Sequence, residues 1–300
     1  NIEKICWKIN KIEILTENLH KEKVLNFKND NNHLFSIVKN FKIYEAVEKS
    51  LLKNKKFKKI YKINYSNLLK KYDLVVNTDY FSSITKKFFN KKILKDYYSF
   101  AYISEIKHKK ITNRTATQIF TKYGPLAFLP VSNTKTSLVF SINKYKKITD
   151  QDLNKLVNQY NFNYDIKKIE KFNFFKLESL NLRNYYQGNI LAFGDLLHKI
   201  HPLAGQGFNM TLRDIKILLD IIKYKIDLGL PIDTSVNKEF EKKSKAKNII
   251  FSNGIDLLHE FFNLESKTNN NFLSKSVKLL GKNPTVNKMF TKIADNGTIF

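Results

Sequence analysis

The stretch Gly188–Asp220, GNILAFGDLLHKIHPLAGQGFNMTLRDIKILLD, decides the fold. It opens with an apolar run, Ile190 to Phe193, short enough to be a buried strand. Gly194-Asp195 closes that strand with a carboxylate at its C-terminal end, the edge at which open α/β sheets bind ligands. The loop HPLAGQG follows, and its proline and two glycines let the backbone pass close to a ligand. From Asn209 to Asp220 the apolar residues Met210, Leu212, Ile215, Leu218 and Leu219 recur at helical spacing. Strand, acid, glycine loop and helix in this order offer the free N–H groups of a helix start to an electron-rich or anionic ligand. Each piece alone has a plainer reading, GD as a turn and GxG as chance; their order and spacing together are specific.

Bulk composition bounds the rest. The 300 residues, 42% hydrophobic and 13% aromatic, suffice for a large core and one or two domains. No apolar run approaches a membrane span, and no charged-then-apolar leader is visible. The single cysteine, Cys6, excludes an intrachain disulfide framework and a cysteine-rich metal site. The formal charge is +26, but of 53 basic residues only Arg114, Arg183 and Arg213 are arginine. Nucleic-acid readers favour the planar guanidinium fork, so no specific nucleic-acid partner is expected. A peripheral contact with an anionic membrane is the better match, at about 1 kcal/mol per lysine near such a surface.

Along the chain, Ile12–Leu15 and Leu34–Val38 read as strands separated by a long polar turn, Asn26 to His33. Residues 43–53 have helical period, and 57–65 and 73–76 read as strands. Asp79 or Ser82 suits the N-cap of a short helix over Ile84 to Phe89. Residues 97–106 and 115–142 alternate, and within them Gly124, Pro125 and Pro130 bracket an apolar tetrapeptide that suggests an edge strand or turn. Residues 150–160 read as an amphipathic helix and 172–177 as a further strand. The helix after the glycine loop extends to Ile226, stopped by Gly229 and Pro231, and 235–263 read as a second long helix. The asparagine run 269–271 reads as loop, and Gly281 to Pro284 as a turn.

The pattern GDxxHxxHPLAGQGxNxxxRD resembles the second flavin-binding motif of the FAD-dependent aromatic hydroxylases, in particular the 2-polyprenylphenol hydroxylases of ubiquinone biosynthesis. The match runs through Gly194, Asp195, His198, His201, Pro202, Leu203, Ala204, Gly205, Gln206, Gly207, Asn209, Arg213 and Asp214, with Thr211 where that branch has glycine. Asp79, Ser83 and Lys86 resemble a second signature, DGxxSxxR, with Tyr80 in place of its glycine and Lys86 of its arginine. The segment GPLAFLP, Gly124 to Pro130, is similar to a strand and loop that faces the flavin ring from the substrate side.

The resemblance implies a mixed α/β, para-hydroxybenzoate-hydroxylase-like fold with an interleaved mixed-sheet substrate domain and without its first βαβ unit. It implies the first strands of the substrate sheet at 1–40, part of the FAD-binding domain at 41–95 and the substrate sheet at 96–178. The FAD-binding domain with the GD and HPLAGQG motifs would then lie at 179–228 and C-terminal helices at 229–300. The implied activity is hydroxylation of a prenylated phenol with FAD, NAD(P)H and O₂ through a flavin C4a-hydroperoxide. Asp79, Gly194, Asp195, Pro202, Ala204, Gly205, Gln206, Gly207 and Asn209 would contact the cofactor, and Pro202 and Leu203 would line the reacting ring. His198 and His201 are tempting bases, but structural turn histidines are the preferred reading, and no metal site is expected at their spacing. Other quinone-biosynthesis proteins are implied partners, and a cytoplasmic location, peripheral on the inner membrane, is implied with them. The first glycine is Gly124, so no GxGxxG fingerprint lies before it. Two explanations compete: the C-terminal part of a longer protein, which the non-Met start favours, or a relative without FAD binding that acts as an accessory subunit.

Overall fold

The computed structural model describes residues 2–17, 23–28, 33–61, 71–143, 148–268 and 275. In chain order the strands are β1 (Trp7–Ile9), β2 (Lys11–Thr16), β3 (Lys23–Lys28), β4 (Phe35–Ile37), β5 (Val75–Asn77), β6 (Lys92–His108) and β7 (Thr115–Thr121). Then come β8 (Gly124–Ser132), β9 (Lys135–Ile142), β10 (Ile166–Ile169), β11 (Asn173–Leu182), β12 (Tyr186–Gln187), β13 (Ile190–Ala192) and β14 (His198–Lys199). The helices are α1 (Asn40–Leu51), α2 (Ser83–Phe88), α3 (Asp150–Tyr160), α4 (Gln206–Asp227) and α5 (Thr234–Thr268). The chain divides into two units, residues 1–59, 98–177 and 261–288 against 60–97, 178–260 and 289–300. The division falls inside β6 and β11, and α1 groups with the first unit.

In the first unit the sheet runs β3-β2-β7-β8-β9-β6, with β10 also on β6. Only β2 and β7 are parallel neighbours in it. β1 and β4 form a separate antiparallel pair. Alternation along β7 to β9 turns Ile119, Leu126, Phe128, Leu138 and Phe140 into one buried layer. Helix α3 covers that layer with Leu153, Val157 and Tyr160, spaced by four and three residues on one helical face. Its start is fixed by Thr149, whose hydroxyl accepts from the Asp152 amide at 3.2 Å.

β8 is a central strand, paired to β7 on one side and β9 on the other, so the edge-strand reading of Gly124 to Pro130 is corrected. Its prolines are tolerated at the strand start and beside a register shift between Pro130 and Ser132, where no ladder donor is needed. Gly124 has φ +131°, and a Cβ there would stand 2.1 Å from the Ser141 carbonyl oxygen. β3 extends through Asn26 to Lys28, where the sequence suggests a turn; as the outermost strand, it keeps those polar side chains out of the core.

In the second unit β13 lies between β12 and β5, antiparallel to the former and parallel to the latter. Ile190, Leu191 and Ala192 are each at most 1% exposed, which explains a run with no polar alternation. Around it pack Ile84 of α2, Leu218 and Ile221 of α4, and Val236 and Phe240 of α5. Helix α4 begins at Gln206, earlier than its apolar period suggests, because Gly205 at φ +64° turns the chain directly into the helix. The strand expected over 57–65 does not form over 57–61, and 62–65 lie outside the described residues, as do the expected loop at 269–271 and turn at 281–284.

Replacing Gly124 with alanine forces a Cβ into backbone. The variant is expected to lose at least about 2 kcal/mol of stability, read from urea unfolding midpoints.

Candidate functional site

Parallel pairing sets the site's frame. The register Asn77↔Ala192 places Asp79 and Gly194-Asp195 just beyond the C-terminal ends of neighbouring parallel strands. The first of these turns is built on buried Asn77, whose side-chain amide donates to Thr85 Oγ1 at 2.8 Å and whose Oδ1 accepts from the Asp79 amide at 3.3 Å. Ser82 is the N-cap of α2, accepting from the Thr85 amide at 3.2 Å. Asp79 is therefore not the cap; its carboxylate is exposed and accepts from the Phe81 amide at 2.9 Å. Tyr80 stands beside it with the Lys92 ammonium 3.8 Å from its ring centre.

After β13 the chain turns at Gly194, φ +67°, into a single 3₁₀ turn that leaves Asp195 exposed and Leu196 buried. Residues 198–199 pair with β11, then Pro202 leads into a second 3₁₀ turn, Leu203–Gly205, which contains Ala204. Helix α4 starts there with no side-chain cap, so its first N–H groups, from Gln206 and Gly207 onward, keep their donating capacity. A Cβ built on Gly194 or on Gly205 would meet no atom of the described residues within 4 Å. Gly205 is exposed beside the uncapped helix start while Gly194 is buried, and the bare backbone at Gly205 fits close approach of an electron-rich ligand. Asn209 is exposed, its amide 3.4 Å from Gln206 Oε1.

Beneath this surface lies a buried polar network. His198 Nε2 donates to Asp214 Oδ2 at 2.6 Å, with both side chains at most 1% exposed. Asn248 Nδ2, from α5, donates to the two Asp214 oxygens at 3.1 and 3.2 Å. This hydrogen bond ties His198 to α4. His201 is fully buried, and its ring packs against Tyr97 and His259. Burial pushes the His201 ring down to about 3, and pushes His259 down to about 4.

Asn248, Tyr97, Asp256 and His259 were not singled out from sequence. The signal that could have found the last two is an acid and a histidine three residues apart on one face of the helical stretch FSNGIDLLHEFF. The GPLAFLP segment lies in the first unit, within β8.

No protein-family model matches the chain. In sequence it is similar to 3-demethoxyubiquinol 3-hydroxylase of Escherichia coli K12, 30% identical over 152 residues that cover 48% of this chain and 39% of that protein. The match thus spans well under half the length of that relative. In structure it is similar to p-nitrophenol 4-monooxygenase PnpA from Pseudomonas putida, with TM-score 0.77 and 10% identity over 98% of this chain and 84% of that one. It is also similar to HpxO of Klebsiella pneumoniae, solved with FAD and uric acid, with TM-score 0.70 and 10% identity over 98% and 82% of the two chains. The resemblance to ubiquinone-pathway hydroxylases holds, and the fold is the mixed α/β fold of the FAD-dependent monooxygenases.

Two outcomes follow from the buried groups. Asp214→Ala strands the His198 and Asn248 donors and is expected to cost about 3 kcal/mol in urea unfolding. Because His201 and His259 take up protons less readily folded than at their usual 6.5, stability is present above that pH. It is lost as the pH falls through the window down to about 4, and unfolding midpoints at pH 7.5 and 4.5 check this.

Proposed function

We propose that this chain serves in an FAD-dependent monooxygenase that hydroxylates the aromatic ring of a polyprenylated phenol in ubiquinone biosynthesis, with NAD(P)H as electron donor. The observation that carries the proposal is the uncapped start of α4, entered through Gly205 at φ +64°, near the ends of the parallel strands that lead to Asp79 and Asp195. When bound, FAD reduced by NAD(P)H would activate O₂, one atom of which enters the ring while the other leaves as water.

The chain's own residues bind and orient. Exposed Asp195 accepts hydrogen bonds from the ribityl hydroxyls, and Gly194 leaves room for that chain. The Gln206 and Gly207 amides would donate to the pyrimidine edge, where preorganised dipoles would stabilise negative charge, while the Gly205 amide donates to the Pro202 carbonyl at 3.4 Å. Pro202 and Leu203 would line the reacting edge of the ring and keep water from it, with Ala204 among the cofactor-binding residues. Asp79 and Asn209 bound the site at the neighbouring strand end and the first turn of α4. His198 is held by Asp214 and orients the loop.

We further infer a peripheral contact with anionic lipid. Lysines dominate the +26 charge, and α4 exposes Leu212, Leu219 and Ile226. No described helix is long and apolar enough to cross a membrane. Other quinone-biosynthesis proteins are the proposed neighbours there.

The protein made from its complete reading frame, given NAD(P)H and a polyprenylated phenol, is expected to insert one oxygen atom from O₂ into each product. Asp195→Ala is expected to weaken FAD by about tenfold or more with the fold intact, since that side chain is exposed. A protein that binds FAD yet leaves every polyprenylated phenol unchanged would refute the assigned substrate class.

A further inference from the structure

The imidazole of His201 does not hold the loop Ile200–Gly205 in place by hydrogen bonds. Among the described residues, both ring nitrogens of fully buried His201 lack a hydrogen-bond partner. A buried imidazole without partners forfeits its hydration, so something else must keep it out of water. That something is a ring cluster. Tyr97 of β6 meets His201 edge-on, centroids 5.0 Å apart at 85°. The His259 ring of α5 lies 4.2 Å from His201 at 32°, and 5.0 Å from Tyr97 at 64°.

The cluster is anchored by one face of α5. Tyr97 donates its hydroxyl hydrogen to the Asp256 carboxylate. The same hydroxyl oxygen accepts from the Ser179 hydroxyl and from the His201 backbone N–H. Lys95 pairs with Glu260 and lies 3.7 Å from Asp256. Asp256, His259 and Glu260 are spaced by three and one residues, so α5 presents all three on one side. These groups all belong to the second unit.

We infer that His259, Asp256 and Tyr97 are positioning residues, a clamp through which α5 holds His201 and thereby fixes the Pro202–Gly207 backbone in its ligand-ready conformation. The inference rests on the flavin reading for its purpose, not for its geometry. It places part of the cofactor affinity on a helix more than fifty residues from the glycine loop. Neutral rings suit such a clamp, because two imidazoles face to face repel once charged, and burial holds both uncharged at neutral pH.

The test uses the full-length protein as His259→Ala, His259→Phe and Tyr97→Phe. Amide exchange of residues 203–207 is measured without flavin, and FAD affinity by fluorescence quenching. His259→Ala is expected to speed loop exchange and to weaken FAD, each about tenfold, while His259→Phe restores the packed ring and returns both to near wild type. Tyr97→Phe, which keeps its ring and loses only the hydrogen bonds of its hydroxyl, is expected to fall between them, and it decides the matter if His259→Ala does not fold. Wild-type exchange and affinity in both His259→Ala and Tyr97→Phe would overturn the clamp. Faster loop exchange in His259→Ala, in a protein whose wild type binds no FAD, would uphold the clamp and overturn the flavin reading.

Discussion

The second unit depends on one buried carboxylate. Asp214 is wholly removed from water, and such a group is tolerated only when donors replace its hydration. Here the donors come from two other parts of the chain, His198 after the GD turn and Asn248 on α5. The turn, the first turns of α4 and the middle of α5 must therefore meet at one point. Once they do, the short link from Lys199 to Gly205 has little freedom, and the α4 N-terminus opens beside the strand end that carries Asp195.

The glycines show how the same residue type serves two ends. Gly124 is demanded by the protein itself, since a side chain there would strike the Ser141 carbonyl. Gly194 and Gly205 also adopt positive φ, yet the space a side chain would fill is empty. A bare Cα that faces a neighbouring strand is packing; one that faces open space leaves room for something else to approach. Gly188 and Gly229 share positive φ and the same empty space, so the contrast separates Gly124 from the turn glycines, and it is the uncapped start of α4 beside Gly205 that points to a ligand.

Much of the second unit was legible because its signals are local. An apolar strand, a GD turn and a helical period sit within about thirty residues, and α3 likewise carries its cap and its apolar face in one short segment. What was illegible depends on distant partners. Asn248 looks like any polar helix residue until Asp214 is placed beside it, and Tyr97 gains meaning only from Asp256 and His259. Pro125 and Pro130 argued for an edge, and only a register shift makes them compatible with a central strand. Asn26 to Lys28 read as turn because an outer strand needs little apolar content. The lysine excess is a poor guide, since it is spread over both units, whereas the buried His198–Asp214 bond involves no lysine at all.

The central claim is that the GD turn, the HPLAGQG loop and the start of α4 together cradle a flavin. Its most direct test is the visible absorption spectrum of the protein purified from its complete reading frame. The account predicts the bands of bound oxidised FAD at close to one per chain, released on denaturation. A correctly folded, colourless protein that takes up no added FAD would contradict it and would give the accessory-subunit reading the lead.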